Sequence, residues 1–254
     1  MPDIRSGLRL ALLADALIRL FIWSNAFIVT ASAFTRLGLW PQSDPLRMTW
    51  DTAGLWGMRL SLFAVIYNLV YVAHLIVLRL LIPTPREGRY SVKPGQRPPM
   101  PVVWSCFIGA LTKARLDPPF PAFLVLHVAN LPPMCWLMNR LFGPRSQSCF
   151  YTEPYVLDPH LVEIGRNVVL GFNATLAGHY VERDVVVYKR TIIEDNVVVG
   201  GDVKILGGVH VKCGAVIGAG SVLLPNTIVG ENEFWWGVPA RKFRTLGPAE
   251  ATAP

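Results

Sequence analysis

His179 is the residue of this 254-residue chain whose type and setting best suit chemistry. It lies in Ala177-Gly178-His179-Tyr180-Val181-Glu182-Arg183-Asp184, with two carboxylates close behind it. Imidazole titrates near neutral pH, so it can take a proton from an attacking hydroxyl or amine. Glu182 or Asp184 would hold the ring in one tautomer and stabilise the imidazolium. Gly200 and Gly201, or Gly218 and Gly220, can turn backbone N–H groups toward a developing oxyanion. Gly218, Ala219, Pro239 and Ala240 are small or compact enough to let a ligand pass close to the backbone. Arg241, with Lys242 or Arg244, offers charge-assisted contacts to phosphate. A base, oxyanion donors and an anion site are the parts that acyl transfer from a thioester requires.

These parts need a scaffold, and the spacing of the aliphatics supplies one. From Val187 every sixth residue is aliphatic: Val187, Ile193, Val199, Ile205, Val211, Ile217, Leu223 and Val229. Neither a helix nor an alternating strand has this period. A three-sided coil does, because each side sends one aliphatic inward onto the coil below and buries a continuous column. Four residues after these aliphatics stand Thr191, Val197, Val203, Val209, Ala215, Ser221 and Thr227, all small or β-branched and suited to a tight corner. After Val229 the same offset falls on Glu233, so the prism is expected to end there. Ile164, Leu170 and Leu176 share the period, but Leu176 to Val187 is a step of eleven. Five residues are therefore expected as an insertion within 177–184, pushing His179 out from a corner on a loop.

The chain before Phe142 is different in kind. Leu60 to Ile82 is an apolar run long enough to cross a bilayer, with Arg79 near its end. Leu8 to Phe34 is a second such segment, and Asp15 and Arg19 inside it are spaced to pair on one helix face. The loop from Arg36 to Met58 would join them on the external side. Arg86, Arg89, Lys93 and Arg97 follow the second helix, and Arg5 and Arg9 precede or open the first, which puts both flanks in the cytoplasm. Residues 102–116 and 120–142 are apolar but broken by prolines, so they are expected to be re-entrant or interfacial, with full crossing by the second left open. Cys106, Cys135, Cys149 and Cys213 show no metal or C-x-x-C spacing and read as buried thiols. The net charge of +7 sits beside apolar segments, which fits a membrane surface and not nucleic acid.

The hexads, the outlooping His179 and the ending Trp236-Gly237-Val238-Pro239-Ala240-Arg241 resemble the hexapeptide-repeat acyltransferases over residues ~156 to 244. The resemblance implies a left-handed parallel β-helix, a homotrimer, and an acyl-CoA donor lying in the groove between adjacent prisms. A second likeness spans most of the chain. Glu87-Gly88-Arg89-Tyr90 after a membrane helix, Leu161-Val162-Glu163-Ile164-Gly165, and the His179 segment resemble the membrane region of poly-lysine-synthetase-type nonribosomal peptide synthetases. There, membrane helices alternate with acyltransferase-like β-helix units.

The expected protein has a membrane domain (1–149), a β-helix acyltransferase domain (150–246) and a tail (247–254). It moves an acyl group, acetyl among the options, from a CoA or carrier-bound pantetheine thioester to a hydroxyl or amine of a membrane-associated acceptor. Membrane lipids, a small molecule or a lipid-linked acceptor are the expected partners, and no metal is required. A carbonic-anhydrase-like zinc site would need His160 to join His179 and His210. The competing reading is a non-catalytic membrane scaffold that keeps the coil for trimerisation.

Overall fold

The structure is a computed structural model that describes residues 4–41, 47, 49–93, 95–114, 142–143, 146 and 155–247. Most of the expected 120–142 segment, with His127 and Cys135, lies outside the described residues, as do Cys149 and the tail beyond residue 247.

Two long helices, α1 (Ile4–Arg36) and α2 (Trp50–Leu81), pack against each other. By length and composition, Asp15–Arg36 and Trp50–Leu81 can each cross a membrane. Aromatic rings stitch them: Phe27 and Phe34 meet Phe63 edge-on at 5.7 and 5.1 Å, and the Tyr67 hydroxyl donates to the Trp23 carbonyl at 3.3 Å. The second helix begins at Trp50, well before the expected Leu60. Thr49 caps it: its side chain accepts from Thr52 N–H, and the Thr52 hydroxyl accepts in return from Thr49 N–H. A capping box is a polar start signal, and it extends the helix into sequence that hydropathy alone assigns to a loop.

A strand, β1 (Gly88–Ser91), follows, and then α3 (Met100–Ala114). With 15 residues, α3 spans about 22 Å, short of a bilayer core. It packs instead against both α2 and the base of the β domain.

The β domain is a three-sided parallel coil. Its first face stacks β2 (Tyr155–Leu157), β5 (Thr175–Ala177), β10 (Lys204–Ile205) and β13 (Val222–Leu223). The second stacks β3 (Val162–Ile164), β8 (Thr191–Ile193), β11 (His210–Val211) and β14 (Ile228–Val229). The third stacks β4 (Val169–Leu170), β9 (Val198–Val199), β12 (Val216–Ile217) and β15 (Glu233–Gly237). One aliphatic per strand points inward, and from Ile164 to Val229 these are essentially solvent-free. Val197, Val203, Val209, Ala215 and Ser221 fill the corners at 0% exposure. The turns need left-handed backbone, carried by Asn167, Asn173, Asn196, Asp202, Asn226 and Asn232 as well as by Gly208, Gly214 and Gly220. Asn and Asp therefore share a role that the sequence pattern credits to glycine alone.

Three expectations are corrected here. Val187 is not a column residue, because it pairs antiparallel with Arg89 and Tyr180 on a hairpin outside the coil. The hexads of the upper coils start at Ile193. The insertion is also larger: Leu176 and Ile205 are partners 29 positions apart, whereas Ile205 and Leu223 are 18 apart, so eleven residues are added. Val187 falls six before Ile193 only because its hairpin buries it for another reason. Finally, the column does not end at Val229. Trp235 pairs with Ile217 and takes the next inward position, before β16 (Ala240–Thr245) folds back antiparallel on β15.

Cutting the column is expected to be costly. Ile217 is 1% exposed between Val199 and Trp235, and Ile217→Ala should destabilise the coil by about 2–5 kcal/mol. Thermal unfolding of the full chain by circular dichroism checks this. The terminal hairpin has its own pH dependence. Glu233 accepts from Lys242 Nζ at 2.6 Å and from Trp235 Nε1 and Gly230 N–H, each at 2.8 Å. Those bonds, led by Lys242, hold its carboxyl down at about 2 against an ordinary 4.5. The stabilisation is present above pH 4.5 and is lost as pH falls toward 2. Glu233→Gln should therefore lower the melting temperature at pH 7, and the gap from wild type should close across that acid window.

Candidate active site

The eleven-residue insertion is a β-hairpin, β6 (His179–Glu182) and β7 (Val185–Tyr188), turned at Arg183 with φ 50°. β1 adds to it as a third antiparallel strand. The Glu87-Gly88-Arg89-Tyr90 segment thereby ties the helical region to the hairpin. Arg89 meets Glu182 at 2.6 Å, Tyr90 packs on Tyr188 at 5.6 Å, and Glu87 shares Arg190 with Glu163 at 3.2 and 2.5 Å.

One edge of the prism, between its first and second faces, carries two irregularities in successive coils. In the lower coil Val156 to Ile164 is a step of eight instead of six, and Asp158 sits there in a left-handed conformation with φ 53° before a short 3₁₀ turn, Pro159–Leu161. In the next coil the hairpin leaves from the same edge. A Cβ at Gly178 would stand 2.5 Å from that of Leu161 and 3.2 Å from that of Asp158. Glycine therefore lets the hairpin start directly on the turn below it. In the coil above, a Cβ at Gly207 would stand 2.8 Å from the His179 backbone.

This stacking puts the imidazole against a carboxylate. His179 Nδ1 bonds Asp158 Oδ2, and the other oxygen of Asp158 accepts from Ser105 Oγ on α3. Asp158 is 6% exposed and Ser105 1%, so both are sealed beneath the ring. Tyr188 packs edge-on to the imidazole at 5.9 Å, and burial pushes its phenol up to about 12. A carboxylate only accepts, so Nδ1 carries the proton and the Nε2 lone pair is left to act as a base. The hydrogen bond to Asp158 raises the imidazole above its ordinary 6.5, with burial pulling the other way. The ring stays 29% exposed and opens on a cleft of about 480 Å³ that runs up the same edge past Leu157, Ala177, Leu206, Pro225 and Asn226.

The other candidate residues are placed as follows. Glu182 is engaged by Arg89, and Asp184 lies in the hairpin turn, where its carbonyl accepts from Val92 N–H. The imidazole's acidic partner is therefore Asp158, not Glu182 or Asp184: consecutive hairpin residues run away from the coil, whereas the coil below lies directly under the ring. Gly200, Gly201, Gly218 and Ala219 stand on a different edge, after the third face. Gly200, Gly218 and Gly220 already donate their N–H groups to Ile217, Trp235 and Gly201 at 2.8–2.9 Å, so they are not oxyanion donors. A Cβ at Gly200 would stand 2.5 Å from Ala219 N, and one at Gly218 2.8 Å from the Trp236 ring, which explains both glycines by coil packing. Gly201 and Ala219 keep their candidacy. Ala240 is buried at 3%, Pro239 follows a cis peptide, and Lys242 is held by Glu233, leaving the exposed Arg241 and Arg244 as cations of that group open to phosphate.

Among the described residues, no three His, Cys, Asp or Glu side chains converge to hold a metal. His210 pairs instead with Glu194 at 2.5 Å on the second face. Cys106 is exposed and Cys213 half-buried, which corrects the reading of these two as buried thiols.

Asp158, Ser105 and Tyr188 escape sequence reasoning. The step of eight before Ile164 and the Asp-Pro turn signal mark Asp158 as a place where the coil deviates. Nothing in an apolar helix marks Ser105.

Residues 190–225 match the profile of the hexapeptide repeat of succinyl-transferase. The chain is 27% identical over 128 residues to YvoF of Bacillus subtilis (strain 168), a protein named as a candidate acetyltransferase; this covers 47% of the chain and 73% of YvoF. It is 33% identical over 87 residues to mitochondrial gamma carbonic anhydrase 2 of Arabidopsis thaliana, covering 34% of the chain and 27% of that protein. Among solved structures, the hexapeptide-repeat acetyltransferase VCA0836 of Vibrio cholerae aligns with 57% of this chain and 91% of its own, at 21% identity and a TM-score of 0.43.

Proposed function

We propose that this protein is a membrane-anchored, acyl-CoA-dependent acyltransferase in which His179 is the general base and Asp158 the group that orients and charges it. The observation that carries the reading is the bond from His179 Nδ1 to a buried carboxylate, with the rest of the ring open on a cleft. A merely structural histidine gains nothing from an eleven-residue hairpin that lifts it to the rim of a groove. The hexapeptide profile and the likeness to YvoF favour an acyl group as the cargo.

In this reading the thioester lies in the cleft along the His179 edge. His179 Nε2 takes the proton from the acceptor's hydroxyl or amine as its oxygen or nitrogen attacks the thioester carbonyl. The C–S bond then breaks, and the imidazolium returns the proton to the leaving thiolate. Ester or amide and free thiol are the products, and the enzyme is regenerated. The coil is taken as left-handed, and three copies packed side by side would bring Gly201, Ala219 and Arg241 of one prism toward His179 of the next. The two apolar helices anchor the enzyme in the cytoplasmic membrane with the prism in the cytoplasm. The poly-lysine-synthetase likeness would make an amine the acceptor.

Full-length protein in detergent, given acetyl-CoA and a membrane-lipid extract, should release free thiol in step with an acetylated product seen by mass spectrometry. Thiol release with no acylated product, or neither, would refute the assignment.

A further inference from the structure

A second cavity, of about 470 Å³, lies on the helical side of the site. Leu78 and Leu81 of α2 and Ile82 just beyond it wall it on one side and Val103, Phe107 and Ala110 of α3 on the other. Its lining is apolar apart from Cys106 and the Asp15–Arg19 ion pair, closed at 2.9 Å. The volume is in the range of ligand pockets and ample for a single hydrocarbon chain. It also adjoins the chemistry: Cys106 lines the cavity, and the preceding residue, Ser105, holds Asp158.

The junction between α2 and the prism has polar groups left over. Among the described residues, both ring nitrogens of His160 and Nε of Arg79 are buried with no hydrogen-bond partner. Arg79 lies in the last turn of α2 beside the cavity residues Leu78 and Ile82, and among the described residues its Nη atoms donate to the Ile82 carbonyl and the Thr84 hydroxyl, at 3.3 and 3.0 Å. No carboxylate among those contacts neutralises it. His160 lies in the field of Arg79 and Arg190; burial first, then those two cations, hold its ring down at about 4, while Asp158 opposes them. The unpartnered guanidinium N–H of Arg79 and the one N–H of the neutral His160 ring can both be satisfied by a negatively charged, oxygen-rich group.

We infer that the cavity between α2 and α3 holds the hydrocarbon tail of an anionic amphiphile, with a phosphate-type head at Arg79 and His160, and that this amphiphile is the acceptor. The inference rests on the acyltransferase reading for the word acceptor alone; the binding site stands on the cavity and the orphaned polar groups. The tail fixes depth and the head meets Arg79, so that the acceptor's reacting group is presented to the open Nε2 side of His179 on the cleft.

The test uses full-length protein, stripped of lipid in mild detergent and read by native mass spectrometry with hexadecyl phosphate, hexadecanol and inorganic phosphate as probes. One hexadecyl phosphate per chain should be retained, at least about tenfold more tightly than hexadecanol. Inorganic phosphate alone should not be retained. Val103→Trp and Ala110→Phe, each filling the cavity from α3, should abolish retention while melting like wild type; two positions guard against one failing to fold. Arg79→Gln should erase the preference for phosphate over alcohol and leave hexadecanol binding intact. Equal retention by both cavity-filling variants, or an undiminished phosphate preference in Arg79→Gln, overturns the site. His179→Ala should bind the probe like wild type. Probe binding with these sensitivities but no acyl transfer to any amphiphile sinks the acyltransferase reading and leaves the pocket. Acyl transfer to soluble alcohols that hexadecyl phosphate does not inhibit sinks the acceptor assignment and leaves the enzyme.

Discussion

His179→Ala should lower kcat/KM for acyl transfer by about 10²–10⁴-fold, the usual contribution of a positioned general base. Above the folded pKa of the imidazole, where its charge no longer contributes, it should leave the melting temperature close to wild type, because the ring is on a hairpin outside the buried column and is 29% exposed. Thiol release from acetyl-CoA, followed alongside thermal unfolding of the same preparation, reads both. The two readouts separate the enzyme from the scaffold alternative. A scaffold loses nothing with the imidazole, so equal turnover in wild type and His179→Ala would end the catalytic reading. A fall in turnover accompanied by a large fall in melting temperature would instead make His179 a packing residue. The wild-type rate should also climb with pH as the imidazole loses its proton, along a limb centred above pH 6.5, since Asp158 holds the charged form.

Asp158→Asn should move that limb. An amide keeps the shape of the carboxylate but replaces one of its two accepting oxygens with an NH2 donor and deletes the charge that stabilises the imidazolium. The base is then weaker, and the rate should fall by about 10²-fold or more. With the raising influence removed, burial alone acts on the ring, so the pH limb should shift in the acid direction relative to wild type. A residue that only packs would lower the rate without moving the limb, and that outcome would demote Asp158 from positioning residue to structural filler. Stability gives an independent sign. His179 has a raised folded pKa, so its contribution is fully present below about 6.5, its unfolded value, and is lost as pH rises through the folded one. The melting-temperature gap between wild type and Asp158→Asn should therefore be widest on the acid side of neutrality and narrow in alkali.

The repeat was legible because a three-sided coil makes the same demand every six residues. From Ile193 to Val229 each inward position must be aliphatic and each corner small, and those constraints are local enough to be read from spacing. Val187 shows where this reasoning slips. A buried residue on a hairpin satisfies the same apolar rule for a different reason, and it happened to fall in register. Trp235 shows the converse: an aromatic that does not look like a hexad residue takes the next inward position, because the end of the column is open and can accept a larger side chain. The hydrophobic length of the helices was legible too, while the start of α2 was set by the Thr49–Thr52 capping box and not by hydropathy.

The active-site candidate divides along the same line. His179 announced itself through an interruption of a regular pattern, which one dimension records well. Its partner did not: Glu182 and Asp184 are nearest along the chain, yet antiparallel pairing carries them toward Arg89 and Val92. Asp158, 21 positions away, is nearest in space because successive coils place their irregular corners on one edge. Sequence by itself determined the coil, the helices and the histidine, since periodicity, hydropathy and interruption are properties of neighbours in the chain. Tertiary structure decided which carboxylate meets that histidine, that Ser105 of α3 braces it, and that an apolar cavity lies behind the brace. Those facts depend on how one coil stacks on the next and where a helix docks, and contacts between distant segments leave no fixed spacing to read.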